Sequence, residues 1–100
     1  MKNIIAKRRL REFWERAGRA DSEQQLRAWH HFAKRAGWTS RQDVKNDFGN
    51  ASIIANNRVV FNICGNKYRL VVAFNYRHGF GYVRFIGTHG EYDKIDAATI

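Results

Sequence analysis

The run Thr88-His89-Gly90-Glu91-Tyr92-Asp93-Lys94 sets a histidine and a tyrosine three residues apart, directly after a cation-rich stretch. From Phe48 to Gly90 there is no carboxylate, yet Arg58, Lys67, Arg69, Arg77, His78, Arg84 and His89 all fall there. Imidazole titrates near neutrality, with an unperturbed pKa of about 6.5, so it can accept or deliver a proton. Guanidinium forks meet phosphate oxygens in two-point contacts. Tyrosine can stack on a base, orient a hydroxyl, or lose its proton where cations lower its pKa. RNA carries its own nucleophile, the 2′-hydroxyl. A protein need add only a proton acceptor, a proton donor and positive charge around the phosphorus. Lys67, Arg69, Arg84, His89 and Tyr92 are a set suited to that chemistry.

Other chemistries find less support. There is no dense Asp/Glu cluster, no Cys/His ligand spacing and no HExxH arrangement, so neither a metal site nor a cofactor is expected. No GxSxG or phosphate-cradling glycine loop is present. Cys64 is the one cysteine, flanked by apolar residues; it forms no internal disulfide and reads as structural. With no signal pattern and no apolar run long enough for a bilayer, the expectation is a cytosolic protein without a membrane partner. Eighteen Lys and Arg against nine Asp and Glu give a formal charge of +9. Nucleic acid is therefore the first partner to test, against the plainer reading of a solvated surface. One hundred residues, 44% of them apolar, suit a single domain spanning 1–100.

These residues must be positioned by two kinds of element. In the first half Ala6, Leu10, Phe13, Trp14 and Ala17 recur at helical spacing up to Gly18, turning Lys7, Arg8, Arg11, Glu12, Glu15 and Arg16 outward. A second helix is predicted from Asp21 or Ser22 to Gly37, with Leu26, Trp29, Ala33 and Ala36 on one face. A third, over 41–48, is capped by Thr39 or Ser40. The second half changes period: 58–63, 67–76 and 80–86 are β-branched and aromatic runs separated by Gly65-Asn66 and His78-Gly79. The expected fold is α+β, with N-terminal helices on one face of an antiparallel β-meander and a short C-terminal helical turn.

Two-residue loops would place Phe61 opposite Leu70, Ile63 opposite Tyr68 and Val59 opposite Val72, then Phe74 opposite Val83 and Val72 opposite Phe85. The helices would cover that apolar face. The same count puts Asn62 opposite Arg69, Cys64 opposite Lys67, Ala73 opposite Arg84 and Arg69 opposite Thr88. Arg58, Lys67, Arg69 and Arg84 would then share the other face, interleaved with Val60, Val71, Ala73 and Ile86. A one-residue slip would invert every one of these assignments. Thr88 and Glu91 match a capping box, starting a helical turn beside the cationic floor with His89 and Tyr92 on one side of it.

The segments 57–72 and 82–94, containing Gly-Asn-Lys-Tyr-Arg, Tyr-Val-Arg-Phe and Thr-His-Gly-Glu-Tyr-Asp, resemble the HigB family of bacterial toxins, and the helical half with Leu10-Arg-Glu-Phe-Trp14 agrees. The resemblance implies a RelE-like fold and a ribosome-dependent mRNA endonuclease acting in the decoding site of bacterial ribosomes. It also implies neutralisation by a HigA-type antitoxin with a helix-turn-helix domain. Carried over, the site is Lys67, Arg69, Arg84, His89 and Tyr92. Their charge makes Arg58, Lys7, Arg8, Arg11 and Lys94 RNA-binding candidates, the first-helix cations either facing rRNA or forming an ordinary solvated helix face. Which residue is base and which acid stays open.

Each assignment has a plainer alternative. His89 can fill a sheet edge, Tyr92 can pack the last turn on the sheet, and Lys67 can be a solvated turn lysine. Arg69 and Arg84 can pair with Glu91 or Asp93, and His30-His31 can be an ordinary helix face. Two rival functions also stand: a gyrase-inhibiting toxin of the same fold, as in the ParE group, or a noncatalytic RNA-binding module. Unimpaired supercoiling with arrested translation excludes the former. RNA bound without a change in length supports the latter.

Overall fold

The computed structural model describes residues 1–100. In chain order the elements are β1 (Asn3–Ile5), α1 (Lys7–Trp14), a 3-10 turn (Ala20–Ser22), α2 (Glu23–Arg35), α3 (Arg41–Asp47), β2 (Ser52–Ile54), β3 (Arg58–Ile63), β4 (Tyr68–Asn75), β5 (Phe80–Thr88) and α4 (His89–Tyr92). The α+β class agrees with the sequence reading, but the sheet is not a purely antiparallel meander. Five strands run in the order β1-β5-β4-β3-β2. The apolar start Asn3-Ile4-Ile5 is a strand lying parallel to β5, with Ile4 opposite Gly81, and β2 pairs antiparallel with β3. Both edge strands have three residues, too few for an alternating pattern to register.

The helices cover one face of the sheet. Leu10, Phe13 and Trp14 of α1 and Leu26, Trp29 and Ala33 of α2 form one cluster with Val59, Phe61, Leu70, Val72, Phe74 and Val83 of the central strands. Phe13 meets Tyr68 edge-on at 5.2 Å, as Trp29 meets Phe61. Each such buried side chain stabilises the fold by about 1.5–3 kcal/mol. Helix α1 ends at Trp14, short of the expected Gly18, so Ala17 is exposed beyond it. Ser40 is the cap of α3, its hydroxyl accepting from Asp43 N–H at 3.3 Å.

The first hairpin has the expected register, with Val59 opposite Val72, Phe61 opposite Leu70, Asn62 opposite Arg69 and Ile63 opposite Tyr68. The second does not. Asn75 pairs with Phe80, so the strands part earlier than counting assumed. Asn75 Oδ1 accepts from His78 N–H and its carbonyl from Gly79 N–H, closing the turn from the strand's last residue. A β-bulge then interrupts the ladder between Val71 and Val72. Val72 lies opposite Val83, Val71 opposite Phe85, Ala73 opposite Tyr82, Phe74 opposite Gly81 and Arg69 opposite Gly87. The bulge holds Arg84 as the extra residue. Phe85 therefore moves to the face away from the helices, where it packs against Val60 and Val71, while Ile86 joins the main core.

That second face is partly roofed. Ala97, 7% exposed, sits on Val60 and Val71, with Ile54, Phe85, Tyr92 and Ile100 around them. Asn56 Nδ2 donates to Ala98 O at 2.7 Å. Arg58 donates to the carbonyl oxygens of Asn56 and Ile100, holding the last segment across the sheet.

Candidate active site

The corner where β5 runs into α4 collects His89, Tyr92 and Arg69 of the five residues expected to carry the chemistry. Thr88 caps α4 in a complete capping box: its hydroxyl accepts from Glu91 N–H at 3.1 Å and Glu91 Oε1 accepts from Thr88 N–H at 2.8 Å. The bond from Thr88 N–H is the chief cause that holds the Glu91 carboxyl below its ordinary range. His89 N–H donates to Lys67 O at 3.1 Å, tying the turn to the start of β4.

His89 and Tyr92 take different positions on this turn. The imidazole is about half exposed, and its Nδ1 lies 3.1 Å from Asp93 Oδ2, four residues on. A carboxylate on Nδ1 fixes the ring's orientation and tautomer, leaving Nε2 as the nitrogen available to a substrate. Tyr92 is half-buried on the Phe85 ring, centroids 6.4 Å apart, and packs against the cluster under Ala97. Its packing role and its place beside His89 coexist.

The cations separate into groups. Arg69, half-buried and opposite Gly87, donates through Nη1 to Asn66 O at 3.0 Å and to Tyr68 O at 3.4 Å. Arg84 is exposed on the bulge, its guanidinium 5.7 Å from the Tyr82 ring centroid. Neither arginine takes part in an ion pair with Glu91 or Asp93. Lys67 does not lie on the shared floor: it sits in the β3–β4 turn and its ammonium is bound by Asp21 of the 3-10 turn. The Tyr68 hydroxyl donates to the same carboxylate at 2.6 Å. These two bonds hold the Asp21 carboxyl low and the Asp21 contact pushes Lys67 up, while burial and then Asp21 push up the Tyr68 phenol.

Arg58 is engaged with the C-terminal segment and is not a free phosphate ligand. Lys94 is exposed just past α4, its N–H bonded to Glu91 O. Lys7, Arg8 and Arg11 lie on α1, in the helical layer across the sheet from Phe85 and Tyr92. The structure thus brings His89, Tyr92, Arg69 and the Lys67 backbone to one corner, with Arg84 farther along β5. Sequence reasoning missed three contributors. Asp93 was detectable, since four residues from His89 is one helical turn. Tyr82, two residues before Arg84, was readable from strand alternation, whereas Phe85 joins them on the open face only because of the bulge, for which the sequence carried no signal.

Helices on one face of a five-stranded mixed sheet, with a short helix leaving its last strand, is an arrangement compatible with a RelE-like toxin. The chain belongs to the HigB toxin family, the RelE-like toxic component of a toxin-antitoxin system, whose family model matches residues 22–95. None of the curated proteins compared with it matches the chain. Membership makes the protein a toxin with an antitoxin partner. No helix is long and apolar enough to cross a membrane.

Proposed function

We propose that this toxin is a ribosome-dependent mRNA endonuclease that arrests translation in the bacterial cytoplasm, a single RelE-like domain held inactive by a HigA-type helix-turn-helix antitoxin. The observation that carries the reading is the exposed His89 ring with Nδ1 on the Asp93 carboxylate, at the corner shared by Arg69 and with Arg84 farther along β5, neither arginine having a carboxylate partner. In the proposed reaction the message's 2′-hydroxyl loses its proton as its oxygen attacks the adjacent phosphorus. The bond from phosphorus to the 5′-oxygen then breaks, and that oxygen takes up a proton. The products are a 2′,3′-cyclic phosphate and a 5′-hydroxyl end.

His89 is the proton-transfer group and Asp93 its positioning residue. Arg84 and Arg69 offset the charge that grows on the phosphate oxygens. Tyr92 and Phe85 offer ring surfaces to an unpaired base. Lys67 contributes chiefly through its carbonyl, because Asp21 already engages its ammonium. The reading needs no resident metal, since side chains supply both proton transfer and charge.

Purified ribosomes and message incubated with wild-type protein should yield cuts that His89→Ala reduces by about 10²–10⁴-fold. Arg84→Ala should weaken cutting strongly, Asp93→Asn and Tyr92→Phe less, and Lys67→Ala least. Equal cutting by all of them, each folded by circular dichroism, would sink the site. Arrested translation with uncut message would turn the reading to a noncatalytic binder.

A further inference from the structure

The sheet is only half covered along its β3 edge. Strand β2 pairs with Arg58, Val59 and Val60 alone, so no strand lies beside residues 61–63 on that side. Just before β2 the chain turns away from the sheet, Ala51 N–H donating to Phe48 O at 3.0 Å. Between that loop, α2 and the open stretch of β3 lies a groove of about 720 Å³. Exposed edges are ordinarily guarded by lysine, proline or a bulge. The stretch Phe61-Asn62-Ile63 has none of these. The groove's wall is a run of rings in contact: Phe32 meets Phe48 edge-on at 5.3 Å, Phe48 meets Phe61 at 5.2 Å, and Phe61 meets Trp29 at 5.2 Å. Phe32 is 46% exposed. The Trp29 indole on the same wall is buried, and its Nε1 has no acceptor. Buried N–H groups are nearly always paired.

Charge decides which class of ligand suits this groove. Eighteen of the 100 residues are Lys or Arg, yet none lines it. Lys45, close by, is bound by the carbonyl oxygens of Gly49 and Ala51. Asp47 is the one charged lining residue; it is exposed, and only its Oδ2 is engaged, by Trp38 Nε1–H at 2.8 Å. We propose that the β3 edge and this groove form a docking site for an extended polypeptide segment, which adds as a further strand with a bulky apolar side chain toward Phe32 and a lysine or arginine toward Asp47. Strand addition draws affinity from free main-chain groups and specificity from pockets for alternate side chains. Both are present here. A nucleic-acid strand would find rings but no cation for its phosphates. A main-chain carbonyl of the docked segment would give the Trp29 N–H its acceptor. The inference concerns a different part of the molecule from the His89 corner and does not depend on the cleavage reading.

The probe is a synthetic peptide of about seven residues, threonine alternating with leucine and a lysine at one end, both termini blocked. It is titrated into isotope-labelled full-length protein at about 150 mM salt, where the chain's overall charge is screened beyond about 8 Å. The amide resonances of residues 61–63 and the Trp29 indole N–H should shift saturably. Ala28→Arg sets a long side chain across the groove from an exposed position on α2 and should weaken binding by about 10-fold or more. Ala17→Arg adds the same charge at an exposed position outside the groove and should leave binding unchanged. Methylating alternate peptide nitrogens removes main-chain donors and should weaken binding by about as much as Ala28→Arg. Exchanging the peptide's lysine for glutamate should also weaken it. No saturable shift, equal effects of the two arginine variants, or a methylated peptide that binds as tightly as its parent would overturn the proposal. So would a glutamate peptide binding as tightly as the lysine one, or a uridine oligonucleotide moving the same resonances as strongly. No RNA is cut in this titration, so its failure is distinct from failure of the nuclease assay.

Discussion

Two glycines near the turn into α4 respond oppositely to a methyl group. A Cβ at Gly87 would stand 2.6 Å from Phe85 Cζ and 3.0 Å from Glu91 Oε1. Gly87→Ala must displace the ring that supports Tyr92 and the carboxylate that caps α4, and should cost about 1–3 kcal/mol in urea unfolding. At Gly90 the nearest atom would be Thr88 Oγ1 at 4.0 Å, and the residue is helical. Gly90→Ala should therefore stabilise the protein, by up to about 1 kcal/mol. A reversal of these two signs would contradict the packing described for this corner. At this scale the sequence was informative where partners are close in the chain: the Thr88/Glu91 box and the His89/Tyr92 spacing were both readable. Asp93 was visible too, but as a partner for arginine, when its carboxylate lies instead against the histidine four residues before it.

Among the elements, the contact between the 3-10 turn and the start of β4 has a defined pH dependence. Asp21 is held below its ordinary value, so its contribution to stability is complete above about pH 4 and is lost as pH falls through the folded value. Lys67 and Tyr68 are pushed up, so their contributions are complete below about pH 10 and are lost as pH rises through the folded values. The difference in thermal midpoint between wild type and Asp21→Asn should hold level from about pH 5 to pH 9 and shrink toward both extremes. A difference that stays constant from pH 3 to pH 11 would refute the contact. No reading of the sequence could have found it, because Asp21 and Lys67 are 46 positions apart. The hairpins show the same boundary. Gly65-Asn66 and an uninterrupted apolar alternation fixed the register of the first, whereas in the second a turn closed by Asn75 shifted the pairing by two residues and a bulge exchanged the faces of Phe85 and Ile86, neither visible in the pattern.

For the molecule as a whole, the two faces of the sheet are closed in different ways, by helices on one side and by the last residues of the chain on the other. Ala97→Asp would set an unpartnered carboxylate on Val60 and Val71 and should cost about 1–3 kcal/mol, with a gain in binding of an apolar dye. Unchanged stability would mean that the segment does not hold that face shut. The parallel pairing of β1 with β5 has a temporal consequence as well. Ile4 finds its neighbour only at Gly81, and His89 follows at the end of that same strand. Contacts so distant along the chain form late, and a domain closes as a unit once its last strand is available. During synthesis, then, the first strand must wait unpaired until β5 has been made, and the histidine corner comes into being together with the finished sheet. A half-made copy of this toxin has neither a closed core nor the residues on which its proposed activity rests.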